Sequence, residues 1–181
     1  EGLFIDNNVG IGHVRLSIID LSPAGHQPMF SDDNRYLLSY NGEIYNYLEL
    51  RQELKNDFVF HSNTDSEVLL NAYRKWGKDC LNKFNGMFAF VIYDTITKEL
   101  FGARDRFGIK PFYYLIDGDT FIFASEIKAI KTVFENYLSV NDQAIFDYLA
   151  FNRTDHSNDT FYSEIKKIKH GHYFIINSEN R

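Results

Sequence analysis

Met87-Phe88-Ala89-Phe90-Val91-Ile92-Tyr93 is followed by Asp94-Thr95-Ile96-Thr97-Lys98 and then by Glu99-Leu100-Phe101-Gly102-Ala103. The first stretch is a continuous apolar run short enough for a strand buried on both faces, the second reads as a turn, and the third as the hairpin partner. This hairpin is core rather than site, and it points to antiparallel sheet.

Working outward, Tyr113–Ile116 and Thr120–Ala124 form a second hairpin around Asp117-Gly118-Asp119, and Tyr173–Ile176 supplies a last strand. Upstream, Val9–Ile19 reads as one or two strands, with Val14, Leu16 and Ile18 on one face and His13, Arg15 and Ser17 on the other. Leu21–Pro28 is a loop, and Tyr36–Tyr40 is a short strand stopped by Asn41-Gly42, read as a tight turn. Apolar residues at helical spacing predict helices over Leu48–Leu54, Ile127–Phe134 and Ala144–Phe151. Another starts at Thr64-Asp65-Ser66-Glu67, a capping box in which Thr64 accepts from the Glu67 N–H and Glu67 reaches back; it runs through Trp76 to Gly77. Strands and helices do not alternate as βαβ units, so the expected class is α+β, antiparallel sheets covered by helices, with residues 1–181 as one domain.

The 181 residues are 44% hydrophobic, with 17 Phe and 12 Tyr to fill a core, which excludes disorder, collagen and coiled coil. Acidic residues outnumber Lys plus Arg by 25 to 19, a net charge of -6 that repels nucleic-acid backbones, so no nucleic-acid partner is expected. No apolar run is long enough to span a bilayer, and no membrane partner is expected. One cysteine, Cys80, permits no internal disulfide and fits a reducing, cytoplasmic setting. Cys80 reads as a buried small hydrophobe rather than a nucleophile.

Gly10-Ile11-Gly12 lacks the third glycine and helix start of a dinucleotide site, and no phosphate-cradling Gly-rich loop occurs, so no ATP site is visible. The six histidines are scattered; only His170 and His172 share a strand face, and no metal is expected. Arg104, Arg106 and Lys110, interleaved with Asp105, read as an internally paired structural loop rather than an anion patch.

Seven blocks in fixed order change the weight of these individually weak signals: Gly12-His13-Val14-Arg15-Leu16-Ser17-Ile18-Ile19-Asp20-Leu21, Gly25-His26-Gln27-Pro28-Met29, Tyr40-Asn41-Gly42-Glu43-Ile44-Tyr45-Asn46-Tyr47, Thr64-Asp65-Ser66-Glu67, Phe84-Asn85-Gly86-Met87-Phe88-Ala89-Phe90, Arg104-Asp105-Arg106-Phe107-Gly108-Ile109-Lys110-Pro111 and Ala124-Ser125-Glu126-Ile127-Lys128-Ala129. Together they resemble the glutaminase domain of glutamine-hydrolysing asparagine synthases. Ile168-Lys169-His170-Gly171-His172-Tyr173 is similar to the ending of that domain, with His170 where the family usually has Pro.

The resemblance implies a class II, N-terminal-nucleophile amidotransferase: a four-layer αββα sandwich of antiparallel sheets, here expected to lack its N-terminal strand. It implies that glutamine is held by Arg15, by Asn41, Gly42 and Glu43, by Asp65 and by the backbone of Leu16, Ser17, Ile18 and Ile19. A planar guanidinium suits an α-carboxylate, and carboxylates suit an α-ammonium. The Asn41 side-chain amide and the Gly42 N–H are implied as the oxyanion hole for the tetrahedral intermediate. The family's nucleophile, an N-terminal cysteine with its own α-amine as base, has no counterpart among these residues, since Cys80 stands elsewhere; the chain is expected to be inactive alone and incomplete at its start. The expected partners are glutamine and a C-terminal synthetase domain, which alone would use ATP and Mg2+ to activate aspartate; no cofactor is expected in this domain. An exposed sheet edge would allow a homodimer. The rival readings are a non-catalytic glutamine-sensing or interaction module on the same scaffold, and an amidotransferase for another acceptor.

Overall fold

The computed structural model describes residues 1–15, 22–134 and 137–177. The chain divides into two compact units, Glu1–Gly102 with Phe174–Arg181, and Ala103–Tyr173.

The first unit opens with a hairpin of β1 (Gly2–Asp6) and β2 (Val9–His13), in register Phe4 opposite Ile11. Asn7 makes the turn at φ 42°, a backbone setting that Asn tolerates better than most residues. The central sheet has five strands in the order β10-β6-β5-β4-β3: β3 (Met29–Phe30), β4 (Tyr36–Ile44), β5 (Gly86–Asp94), β6 (Leu100–Arg104) and β10 (Tyr173–Ile176). β4 runs antiparallel to both β3 and β5. β5 and β6 form the hairpin expected from the apolar run, and Phe88–Asp94 are all buried.

Period-two alternation gives the sheet two apolar faces. On one, Phe84, Phe88, Phe90, Phe101 and Tyr73 form a chain of ring contacts 4.9–5.9 Å apart. Tyr73 belongs to α2 (Asp65–Trp76), which packs on β4 and on α1 (Tyr47–Leu54). On the other, Phe4 sets its ring 5.6 Å from Phe30 and 6.0 Å from Tyr93, so the β1–β2 hairpin lies on the face opposite the helices. Helix layer, sheet and hairpin thus make an α+β sandwich.

α2 starts as expected, with Thr64 accepting from the Glu67 N–H at 3.3 Å, a cap worth about 1 kcal/mol. The reciprocal half differs: Glu67 reaches past Thr64 and accepts from the N–H groups of His61 and Ser62, both at 2.7 Å. Gly77 ends the helix at φ 54°.

Three local expectations need correction. Asn41-Gly42 is no turn: both residues lie inside β4, opposite Ala89 and Phe88. The long partner strand carries β4 on to Ile44, overriding the local turn signal. β2 ends at His13, and Val14 is 77% exposed, so it belongs to no buried stripe; Leu16 and Ile18 lie outside the described residues. His170 and His172 precede β10 in a turn rather than sharing a strand face.

In the second unit β7 (Tyr113–Asp117) pairs antiparallel with β8 (Thr120–Ala124) and with β9 (Lys166–Lys167). α3 (Ile127–Phe134) matches the expected bounds, and α4 (Asp142–Phe151) begins two residues early because Asn141 caps it through the Ala144 N–H. Leu115, Ile130 and Ile165 form its core. The Arg104–Lys110 loop is internally satisfied. Arg104 donates to the carbonyls of Lys110, Ile168 and Gly108 at 2.7–2.8 Å, and buried Asp105 accepts from the N–H groups of Phe107, Ile109 and Lys110. Among the described residues, no helix is long and apolar enough to cross a membrane.

Candidate active site

β4 outruns its neighbour on one side. β3 covers only Leu37 and Leu38, so the β4 edge from Tyr40 to Ile44 needs other partners for its peptide groups. Side chains supply them. The Tyr40 N–H donates to Gln27 Oε1 at 2.7 Å, His13 Nε2 meets the Tyr40 carbonyl at 3.2 Å, and the Ile44 N–H donates to Asp65 Oδ2 at 3.0 Å. Backbone direction alternates along a strand, so the Gly42 N–H, midway between, points to this same side, away from β5. Glycine is demanded there by close approach: a Cβ at Gly42 would stand 2.3 Å from the Met87 carbonyl oxygen and 2.8 Å from Phe88 Cα.

Asp65, 6% exposed, occupies the first position of α2. Its Oδ2 also accepts from the Tyr40 hydroxyl at 2.7 Å. Burial, followed by the adjacent Asp65 charge, raises the pKa of that hydroxyl and keeps it a donor. Both bonds converge on Oδ2, which fixes the carboxylate at the strand edge while its second oxygen takes neither of them.

Arg15 approaches from the opposite layer, just after β2. Its Nη1 donates to the Ser22 carbonyl at 3.0 Å, and its guanidinium lies against Gly25: a Cβ there would be 2.3 Å from Arg15 Nη2 and 2.8 Å from Thr64 Cγ2. The guanidinium is therefore beside the residue that caps α2 and immediately precedes Asp65. Asn41 and Glu43 project from β4 on the face toward the β1–β2 hairpin, both half-buried. Arg15, Asn41, Gly42, Glu43 and Asp65 thus gather around one strand edge, whereas Leu16, Ser17, Ile18 and Ile19 lie outside the described residues.

His13 has a defined tautomer. A backbone carbonyl only accepts, so Nε2 carries the proton and Nδ1 is a bare acceptor, buried and without a partner among the described residues. Burial lowers its pKa, as do the charges of His26 and Arg15. Sequence reasoning gave no role to His13, Gln27, Tyr40 or Gly25, although the blocks containing them were noted. Cys80 is fully buried in the 3-10 turn after α2, and burial pushes its thiol up to about 12, the opposite of an activated nucleophile.

A model of the glutamine amidotransferase domain family matches residues 1–181. The chain is 45% identical to a putative glutamine-hydrolysing asparagine synthetase 2 of Methanocaldococcus jannaschii, an alignment that covers 83% of this chain and 33% of that protein. It is 41% identical to the glutamine-hydrolysing asparagine synthetase 1 of Bacillus subtilis, covering 97% of this chain and 28% of the relative. Among solved structures it is similar to the glutamine phosphoribosylpyrophosphate amidotransferase of B. subtilis, with TM-score 0.65 and 26% identity over 94% of this chain and 33% of that one. The chain spans about a third of the length of these relatives.

Proposed function

The chain belongs to the glutamine amidotransferase domain family, and from that premise we propose that it is the glutaminase part of an asparagine synthase, releasing ammonia from glutamine for the amidation of aspartate elsewhere in the same polypeptide. The observation that carries the reading is the meeting of Arg15 with the first turn of α2, which holds Asp65, at the open edge of β4. A cation and an anion brought to one strand edge are what the paired α-carboxylate and α-ammonium of a free amino acid require.

In this reading Arg15 takes the carboxylate of glutamine, and Asp65 and Glu43 take the ammonium. The side-chain amide then extends along the β4 edge. Attack of a thiolate on the amide carbon converts its carbonyl oxygen to an oxyanion, which the Gly42 N–H and the Asn41 amide stabilise; loss of one such donor lowers kcat by roughly 10²- to 10³-fold. The C–N bond breaks, ammonia leaves with a proton, and water hydrolyses the γ-glutamyl thioester to glutamate and thiol. Cys80 is sealed in the core, so the thiolate must come from outside these 181 residues. ATP and Mg2+ serve only the acceptor-activating part, and no step here passes through them.

The test is Arg15→Ala in the polypeptide that carries this chain. Loss of a bidentate, charge-assisted contact of about 1.5–3 kcal/mol raises KM for glutamine about 10- to 100-fold and spares synthesis driven by free ammonia. Equal loss of both activities would refute the assignment.

A further inference from the structure

Gly25 closes the 3-10 turn Pro23–Gly25 and is buried, yet its backbone does not require glycine, because its φ is not among the positive ones. What crowds a side chain there is first the guanidinium and then the Thr64 methyl, 2.8 Å from where its Cβ would stand. A Cβ would lie 2.3 Å from Arg15 Nη2 and 2.6 Å from Cζ, well inside the 3.5–4.0 Å of ordinary carbon contacts. We propose that Gly25 is a positioning residue for glutamine binding: its bare Cα is the shelf on which the Arg15 guanidinium is held in register with Asp65.

Three features make the shelf rigid. The Ser22 carbonyl accepts from Arg15 Nη1 at 3.0 Å and from the Gly25 N–H at 3.4 Å, so one oxygen ties the guanidinium to the turn. The turn is closed by the Ala24 N–H on Ser22 Oγ at 3.3 Å and the His26 N–H on the Pro23 carbonyl at 3.0 Å. Two residues on, Gln27 holds the loop to the site: its Oε1 accepts from the Tyr40 N–H, and its Nε2 donates to Ser66 Oγ at 3.4 Å, next to Asp65. The loop therefore spans between the group that would bind carboxylate and the group that would bind ammonium. A long, flexible arginine reaches one pose because the surface beneath it is flat, and a single methyl there moves the fork while leaving the fold its freedom to relax around a side-chain tip.

This inference rests on the glutamine-site reading, and the experiment separates the two. Glutaminase kinetics are measured on the full polypeptide carrying this chain, for Arg15→Ala, Gly25→Ala and the double variant, with ammonia-driven synthesis as the control for folding. Gly25→Ala is expected to raise KM for glutamine about tenfold, to leave kcat within about twofold, and to add less than about twofold once Arg15 is already Ala. The double variant takes the guanidinium away from the new methyl and leaves the Thr64 methyl 2.8 Å from it, so it reads the part of the Gly25→Ala effect that does not pass through Arg15. A raised KM in Arg15→Ala beside an unchanged KM in Gly25→Ala, or effects that multiply in the double variant, overturns the role of Gly25 alone. An unchanged KM in Arg15→Ala overturns the glutamine site and this inference with it.

Discussion

Replacing Asp65 separates its structural work from its proposed binding work. The carboxylate accepts the Ile44 N–H at 3.0 Å and the Tyr40 hydroxyl at 2.7 Å, all three groups being buried. Asp65→Ala leaves both donors unsatisfied; at about 1.5–3 kcal/mol for each bond to a charged acceptor, the loss is about 3–6 kcal/mol, a large part of a stability of about 5–15 kcal/mol. Asp65→Asn behaves differently. Both donors meet one oxygen, so the amide oxygen can turn to that position and keep both bonds, at a cost of about 1–2 kcal/mol for the lost charge. The amide NH2 then takes the place of the second oxygen and presents donors to an ammonium that is itself a donor. Stability in urea, followed by Trp76 fluorescence, should therefore fall far more for Ala than for Asn, while KM for glutamine rises about 10- to 100-fold for Asn with its fold intact. An Asn variant as unstable as Ala would refute the convergence on one oxygen, and an Asn variant with unchanged KM would refute contact with the ammonium.

Two further outcomes follow from the ionisation of buried groups. His13 has a pKa lowered from the usual 6.5 in the folded chain, so the unfolded chain binds the extra proton more readily; stability is fully present above about pH 6.5 and is lost as pH falls from there through the folded-state value. Urea midpoints between pH 8 and 5 should show this slope, and His13→Gln should flatten it; equal slopes in the two proteins would count against a neutral His13. The Cys80 thiol, pushed up to about 12 by burial, is ionised to only about one part in 10⁴ at pH 8, so a disulfide reagent should leave the native chain untouched and react fully after denaturation; rapid labelling of the folded chain would be the contrary result.

Sequence pattern reached the elements whose signal is internal. The apolar run at Met87–Tyr93 is short enough for a buried strand and forms one, buried from Phe88 on, and α3 has the bounds its own periodicity predicts. Asn41-Gly42 failed for a specific reason. The pair is a strong local turn signal, but a nine-residue partner strand supplies ladder bonds through Ile44, and glycine at position 42 answers a close approach of the Met87 carbonyl rather than a turn. Arg15, Asn41, Gly42, Glu43 and Asp65 were legible as a set only through their resemblance to a known domain. Their supports were not: nothing in the spacing of Ser22, Gly25 and Gln27 announces that one carries a guanidinium and another a strand N–H.

Those supports explain why a site forms at this place in the fold. An unpaired strand edge is ordinarily a hazard, because its N–H and C=O groups can recruit a foreign strand. Here β3 begins only at Met29, opposite Leu38, while β4 continues to Ile44, so the edge left without a strand partner among the described residues is met by side chains from three separate segments: His13 at the end of the first hairpin, Gln27 in the loop, and Asp65 at the start of α2. Side chains satisfy peptide groups singly, where a strand would satisfy them in series. Tyr40 and Ile44 are taken on either side, and Gly42 between them has no side chain to cover its own peptide. In the proposed reaction that N–H meets the oxyanion, so the same shortness of β3 that demands three polar anchors also reserves a backbone donor for charge that exists only during the chemical step.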